Sequence, residues 1–70
     1  MEKMSLKAAR VTAGLTQAQL ANAIHVSKNY VIDWEKGRKN PTEEQFRKYC
    51  EACGCPTSAV KCKVLILAEV

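Results

Sequence analysis

The sequence predicts an all-α fold of four to five short helices in one small domain, and three observations predict it. Apolar residues recur at helical spacing along most of the chain. Ser5, Thr16, Ser27 and Thr42 stand where helices would begin, and Gly14, Gly37 and Gly54 stand where helices would stop. At 70 residues the chain is near the lower limit at which one apolar core offsets chain entropy without staples, so every core residue counts.

Helix one is expected from Met4 to Ala13, with Leu6, Ala9 and Ala13 at helical spacing, Ser5 as cap and Gly14 as terminator. Thr16 caps a second helix, Gln17 to about Ala23, whose buried side carries Leu20, Ala21 and Ile24. Ser27 caps a third, Lys28 to Lys36, and Gly37 follows it as a left-handed terminator. After the loop "GRKNPT", Thr42 opens a fourth helix with Glu43 and Glu44 near the positive end of the dipole. Thr42 and Gln45 have capping-box spacing, and Phe46, Tyr49, Cys50 and Cys53 face the core before Gly54. The tail "AVKCKVLILAEV" fits a strand or a helix by periodicity, and its β-branched content favours a terminal strand.

The net charge of +4 and pI of about 9.0 suit a polyanionic partner without requiring one. No segment approaches the roughly 18 apolar residues of a membrane span, and "MEKMSLKAAR" lacks the apolar run of a signal peptide, so the expected location is the cytoplasm. In that reducing compartment Cys50, Cys53, Cys55 and Cys62 are not expected to be disulfides. "CEACGC" lacks the two separated ligand pairs of a structural zinc site, so core packing is the expected role and no metal is assigned. Nothing resembles a nucleophile with its base, a phosphate-cradling glycine loop or a metalloprotease helix, which argues against an enzyme.

Helix three is the informative element. At about 100° per residue, Val31, Trp34 and Glu35 share one side, while Lys28, Asn29, Ile32, Asp33 and Lys36 share the other with Tyr30 flanking. The first side is core-like apart from a glutamate that needs a partner, and Trp34 there is read as packing. The second mixes hydrogen-bonding groups with one apolar residue, as a reader of the major groove requires. Lysine can donate to guanine, asparagine can pair with adenine, an aliphatic group can meet a thymine methyl, and Asp33 can accept from cytosine or orient a neighbour.

The segments "LKAARVTAGLTQAQLANAI" and "VSKNYVIDWEKGRKNP" together resemble the helix-turn-helix domain of the Cro and repressor family of bacteria and their phages, also called the XRE family, from about Leu6 to Cys55. The resemblance implies a lambda-repressor-like domain that regulates transcription by binding double-stranded DNA, with helix three in the major groove. It implies base reading by Lys28, Asn29, Ile32 and Asp33. Gln17, Lys36, Arg38, Lys39 and Asn40 are the implied phosphate contacts; Ser27 is placed with them beside an apolar contact to the bases, and Tyr30 is open between phosphate contact, simple exposure and packing at the rim. It also implies an ion pair between Arg10 and Glu35. At the position of His25 the family usually has glycine, because the residue there adopts positive φ, so His25 is read as a tolerated substitution.

These expectations divide the chain into a DNA-binding domain at 1–57 and an apolar tail at 58–70. One recognition helix reads few base pairs, so two copies on a pseudo-palindromic operator are expected, with the tail as candidate dimer element. The alternative is a tail that folds back on its own core. No cofactor is called for. The competing function is a protein-interaction module that keeps this fold and binds no DNA.

Overall fold

The computed structural model describes residues 3–64. Four helices follow in chain order, α1 (Leu6–Thr12), α2 (Gln17–Ala23), α3 (Lys28–Lys36) and α4 (Glu43–Cys53), and then a 3-10 turn at Thr57–Ala59. The all-α class is as expected, and the differences lie at the ends of elements. Met4 does not start α1. It forms an isolated parallel bridge with Val60, with Met4 N–H donating to Ala59 O at 2.9 Å and Lys61 N–H donating to Met4 O at 2.7 Å.

The starts of the helices follow side-chain chemistry. Ser5 accepts from Ala8 N–H, and Thr42 and Gln45 exchange the two bonds of a capping box. Thr16 and Gln19 form a second box that sequence reading did not single out. Ser27 occupies the N-cap of α3, yet its hydroxyl makes no capping bond.

The ends follow one pattern in all four helices. Leu15, Val26, Arg38 and Cys55 N–H groups donate to the carbonyls of Arg10, Ala21, Asp33 and Cys50 at 2.9–3.2 Å. Immediately before each donor stands a residue in the left-handed conformation, Gly14, His25, Gly37 or Gly54. This is the Schellman arrangement, which satisfies carbonyls that a helix end otherwise leaves unpaired. His25, at φ 59, thus ends α2 in the role that glycine performs for the other three helices.

Leu6, Ala9, Leu20, Ala21, Ile24, Val31, Trp34, Tyr49, Cys50 and Val60 form the core. Burial of each large apolar side chain among them contributes about 1.5–3 kcal/mol. Two expected core residues are only half-buried, Phe46 and Cys53, and Ala13 is exposed at the C-cap of α1. Arg10 occupies a buried position on α1 instead. Val60 is 2 % exposed, so packing runs past Thr57, and the first residues of the tail fold back onto the domain. The remaining tail positions, 65–70, lie outside the described residues.

Candidate nucleic-acid interface

The turn from Ile24 to Ser27 sets α3 against α2, and Val31 and Trp34 anchor α3 to the core. That anchoring turns the opposite side outward. Lys28, Asn29 and Lys36 are exposed there, and Ile32 and Asp33 are half-buried. The four side chains named for base reading therefore share one accessible face, with Ile32 partly sheltered in its middle.

The residues named for phosphate contact rim this face. Ser27, Tyr30, Lys36, Arg38, Lys39 and Asn40 are all exposed, and the Ser27 hydroxyl is uncommitted as a cap. Lys39 Nζ stands 5.8 Å from the centre of the Tyr30 ring, within cation–π range, which draws the ammonium toward the flank of α3. Tyr30 in turn stands against Trp34, with ring centres 6.1 Å apart. The anchor in the core, the aromatic flank and a rim cation are thus in series.

Asp33 and Arg38 engage each other, which the sequence reading did not foresee. Arg38 Nη1 lies 4.0 Å from Asp33 Oδ1, while the backbone N–H of Arg38 donates to Asp33 O at 2.9 Å. The Schellman turn at Gly37 brings these two side chains together. A pair of this length, with Arg38 exposed and Asp33 half-buried, adds little stability, but it places a carboxylate beside a rim cation and lowers the local positive field.

Beneath the rim, Glu35 is the centre of a buried polar cluster. Arg10 Nε donates to Glu35 Oε2 at 2.7 Å, and Arg10 Nη2 donates to Oε1 at 3.1 Å. Arg10 Nη1 donates to Leu15 O at 2.9 Å, which ties α1 to the loop before α2. Gln17 Nε2 donates to Glu35 Oε1 at 3.3 Å. Gln17 is half-buried, and one of its amide hydrogens faces inward rather than toward a phosphate.

Tyr49 is the member of this cluster that sequence reading took only for a core residue. Its hydroxyl lies 2.8 Å from Glu35 Oε2 and 2.8 Å from Leu6 O. Having one hydrogen for two acceptors, it gives the larger share to the charged one. The available signal was its chemistry, because a buried tyrosine, unlike leucine or phenylalanine, must find a partner for its hydroxyl.

Burial acts to raise the Glu35 carboxyl, but hydrogen bonds from Arg10, Tyr49 and Gln17, together with the Arg10 charge, outweigh it and hold the group below its ordinary value. The hydrogen bond to Glu35 raises the Arg10 guanidinium against the opposing effect of burial. Burial, and then the adjoining carboxylate, push the Tyr49 phenol well above its ordinary range. No buried side-chain nitrogen or oxygen among the described residues lacks a partner.

Charge is segregated between the faces. On α4 two of the three acids have local partners, with Lys48 Nζ 3.3 Å from Glu44 and Arg47 Nε 4.0 Å from Glu51. Glu35 is consumed by Arg10, so Lys28, Lys36, Arg38 and Lys39 leave the α3 side positive, with Asp33 as the acid among them. The cysteines lie elsewhere. Burial pushes the Cys50 thiol up to about 12 and the Cys53 thiol up to about 11, which suits inert packing groups. Among the described residues, no group of three or more His, Cys, Asp or Glu is placed to hold a metal ion. No helix among them is long and apolar enough to cross a membrane.

A family model described as Helix-turn-helix matches residues 6–60. The transcriptional regulator ClgR of Mycobacterium tuberculosis is 34% identical over 55 residues, covering 79% of this chain and 49% of that protein. The immunity repressor protein of Bacillus phage phi105 is 33% identical over 64 residues, covering 91% of this chain and 44% of that protein. The chain therefore spans about half the length of the curated relatives it matches. The crystal structure of the clp gene regulator ClgR from C. glutamicum superimposes with a TM-score of 0.72 at 34% identity, covering 76% of this chain and 69% of that one. The matched span takes in all four helices and the bridge residue Val60, and the chain belongs to the Cro and repressor, or XRE-type, helix-turn-helix family.

Proposed function

We propose that the protein is a sequence-specific transcriptional regulator that binds double-stranded DNA with α3 in the major groove. The observation that carries this reading is the outward face of α3, where Lys28, Asn29, Ile32 and Asp33 stand together inside a rim of exposed basic and polar groups. The relatives named as a transcriptional regulator and an immunity repressor support it. In this reading Lys28, Asn29 and Asp33 meet base edges and Ile32 meets a thymine methyl. Ser27, Tyr30, Lys36, Arg38, Lys39, Asn40 and the outward part of Gln17 hold the backbone.

Repression follows from occupancy. A promoter covered by the protein is denied to polymerase, without catalysis or a cofactor. The site of action is the cytoplasm of a bacterium, on bacterial, phage or prophage operators. Two copies, joined through the C-terminal tail, read half-sites about 34–36 Å apart.

Selection from random duplexes at low salt tests this. A pseudo-palindrome is expected, with affinity that falls steeply as salt rises. Folded protein that enriches no duplex overturns the reading in favour of a protein-interaction module.

A further inference from the structure

Glu35 accepts from every side. Arg10 Nε and the Tyr49 hydroxyl reach Oε2, and Arg10 Nη2 and Gln17 Nε2 reach Oε1. Four donors on two oxygens fill the roughly four lone-pair sites of a carboxylate, so its orientation is fixed. Gln17 is the outermost of the four, half-buried at the first turn of α2, whereas Tyr49 on α4 has no exposed surface. The Gln17 amide nitrogen carries two hydrogens, and Glu35 takes one. The other is left for an acceptor outside the cluster, in a direction set by the plane of the carboxylate.

We infer that Tyr49 is a positioning residue for the DNA contact of Gln17, acting through Glu35, an inference that rests on the DNA-binding reading proposed above. Arg10 grips both oxygens, and the Tyr49 hydroxyl, joining Arg10 Nε at Oε2 from the α4 side, fixes the tilt of the carboxylate and with it Oε1, the plane of the Gln17 amide and the aim of its free hydrogen. Without that hydroxyl the carboxylate is no longer held at Oε2 from the α4 side. It then turns toward its remaining donors and takes the Gln17 amide with it. Tyr49 makes no direct approach to the outward face of α3; its ring also packs against Trp34, which stands against Tyr30, so removal of the hydroxyl alone in two Gln17 backgrounds separates the route through Gln17 from that aromatic one.

The test is a double-mutant cycle with the full chain and a duplex obtained by selection. Tyr49→Phe keeps the ring that packs against Trp34, whose centre is 6.4 Å away, and removes only the hydroxyl. The expected result is that Tyr49→Phe weakens binding about 3- to 10-fold in the wild-type background and less than about 2-fold in a Gln17→Ala background, because coupled residues are non-additive. In the free protein the side-chain amide protons of Gln17 shift in the NMR spectrum of Tyr49→Phe, a readout that needs no DNA. Equal losses in both backgrounds, or an unmoved Gln17 amide, overturn the inference and leave Tyr49 a packing residue. A wild-type chain that binds no duplex at all overturns the DNA reading itself, and the inference with it.

Discussion

Arg10 and Glu35 meet side by side, with Nε–Oε2 at 2.7 Å and Nη2–Oε1 at 3.1 Å, although one is on α1 and the other on α3. Their side chains are 11% and 4% exposed, so neither charge can turn to water if its partner is lost. Arg10→Ala strands the carboxylate, and breaking a buried pair in this way costs about 3–5 kcal/mol. Thermal or urea unfolding should show that loss, with weaker DNA binding as a secondary effect. A variant with the wild-type melting temperature would show that Glu35 is solvated or otherwise compensated.

Glu35 in this cluster and the buried Cys50 beside Tyr49 on α4 set the pH range of stability. The folded-state pKa of Glu35 lies below its ordinary value of 4.5, so its contribution is present above that value and is lost as pH falls through the folded value. Cys50 moves in the other direction, from an ordinary 9.0 to about 12, with Tyr49 also raised. Those groups stabilise below their ordinary values, and their contribution is lost as pH rises. Melting temperature should therefore fall on both sides of a plateau. Glu35→Gln should flatten the acid limb and Cys50→Ala the basic one; limbs unchanged in both variants would contradict these assignments.

What could be read from the sequence is what neighbouring residues decide. Thr42 with Gln45, and Gly37 and Gly54 as terminators, act within a few residues of chain, and each appears where side-chain chemistry puts it. Residues separated by long stretches of chain were harder to place. Tyr49 reaches Leu6 across 43 positions of chain, and Met4 pairs with Val60 from near the other end of the described residues. No periodicity encodes such contacts. Asp33 and Arg38 are near in sequence, but their meeting depends on the left-handed residue between them, so the face of a straight helix did not show it. Glu35 was legible as a problem, a carboxylate on a core side, and only three-dimensional packing shows that Gln17 and Tyr49 join Arg10 in solving it.

His25 offers a direct measure of backbone cost. It is exposed and holds φ 59, a conformation that penalises any side chain except the absent one of glycine. His25→Gly should leave DNA binding intact and raise stability by up to about 1 kcal/mol. Denaturant titration and a binding isotherm together test this. A large loss in either would mean that the imidazole makes a contact that matters.

Asn29 and Arg38 should fail in different ways. Asn29→Ala removes a base-reading group and should change sequence preference at one position, with a discrimination loss of about 1–3 kcal/mol. Arg38→Ala should weaken binding on all sequences and make the salt dependence shallower by about 0.9 per lost phosphate contact. It also exposes Asp33, its partner at 4.0 Å, to the approaching phosphates. Adding Asp33→Asn to Arg38→Ala should therefore recover part of the affinity for non-specific duplex, while costing discrimination at the base that Asp33 reads. No recovery would indicate that Asp33 does not face the DNA backbone.

The place to cut the tail follows from Val60. Ending the chain after Thr57 removes a core residue that is 2 % exposed, together with the Lys61 N–H bond to Met4 O at 2.7 Å. Loss of dimers in that variant would be indistinguishable from loss of the fold. A chain ending at Val64 keeps Val60 and both backbone bonds to Met4 while deleting "LILAEV". It should retain the helical spectrum and the melting cooperativity of the full chain. If the deleted segment joins two copies, sedimentation should show a monomer, and operator affinity should fall to that of a single half-site. A shortened chain that still sediments as the full chain does would place the interface on the four-helix domain itself.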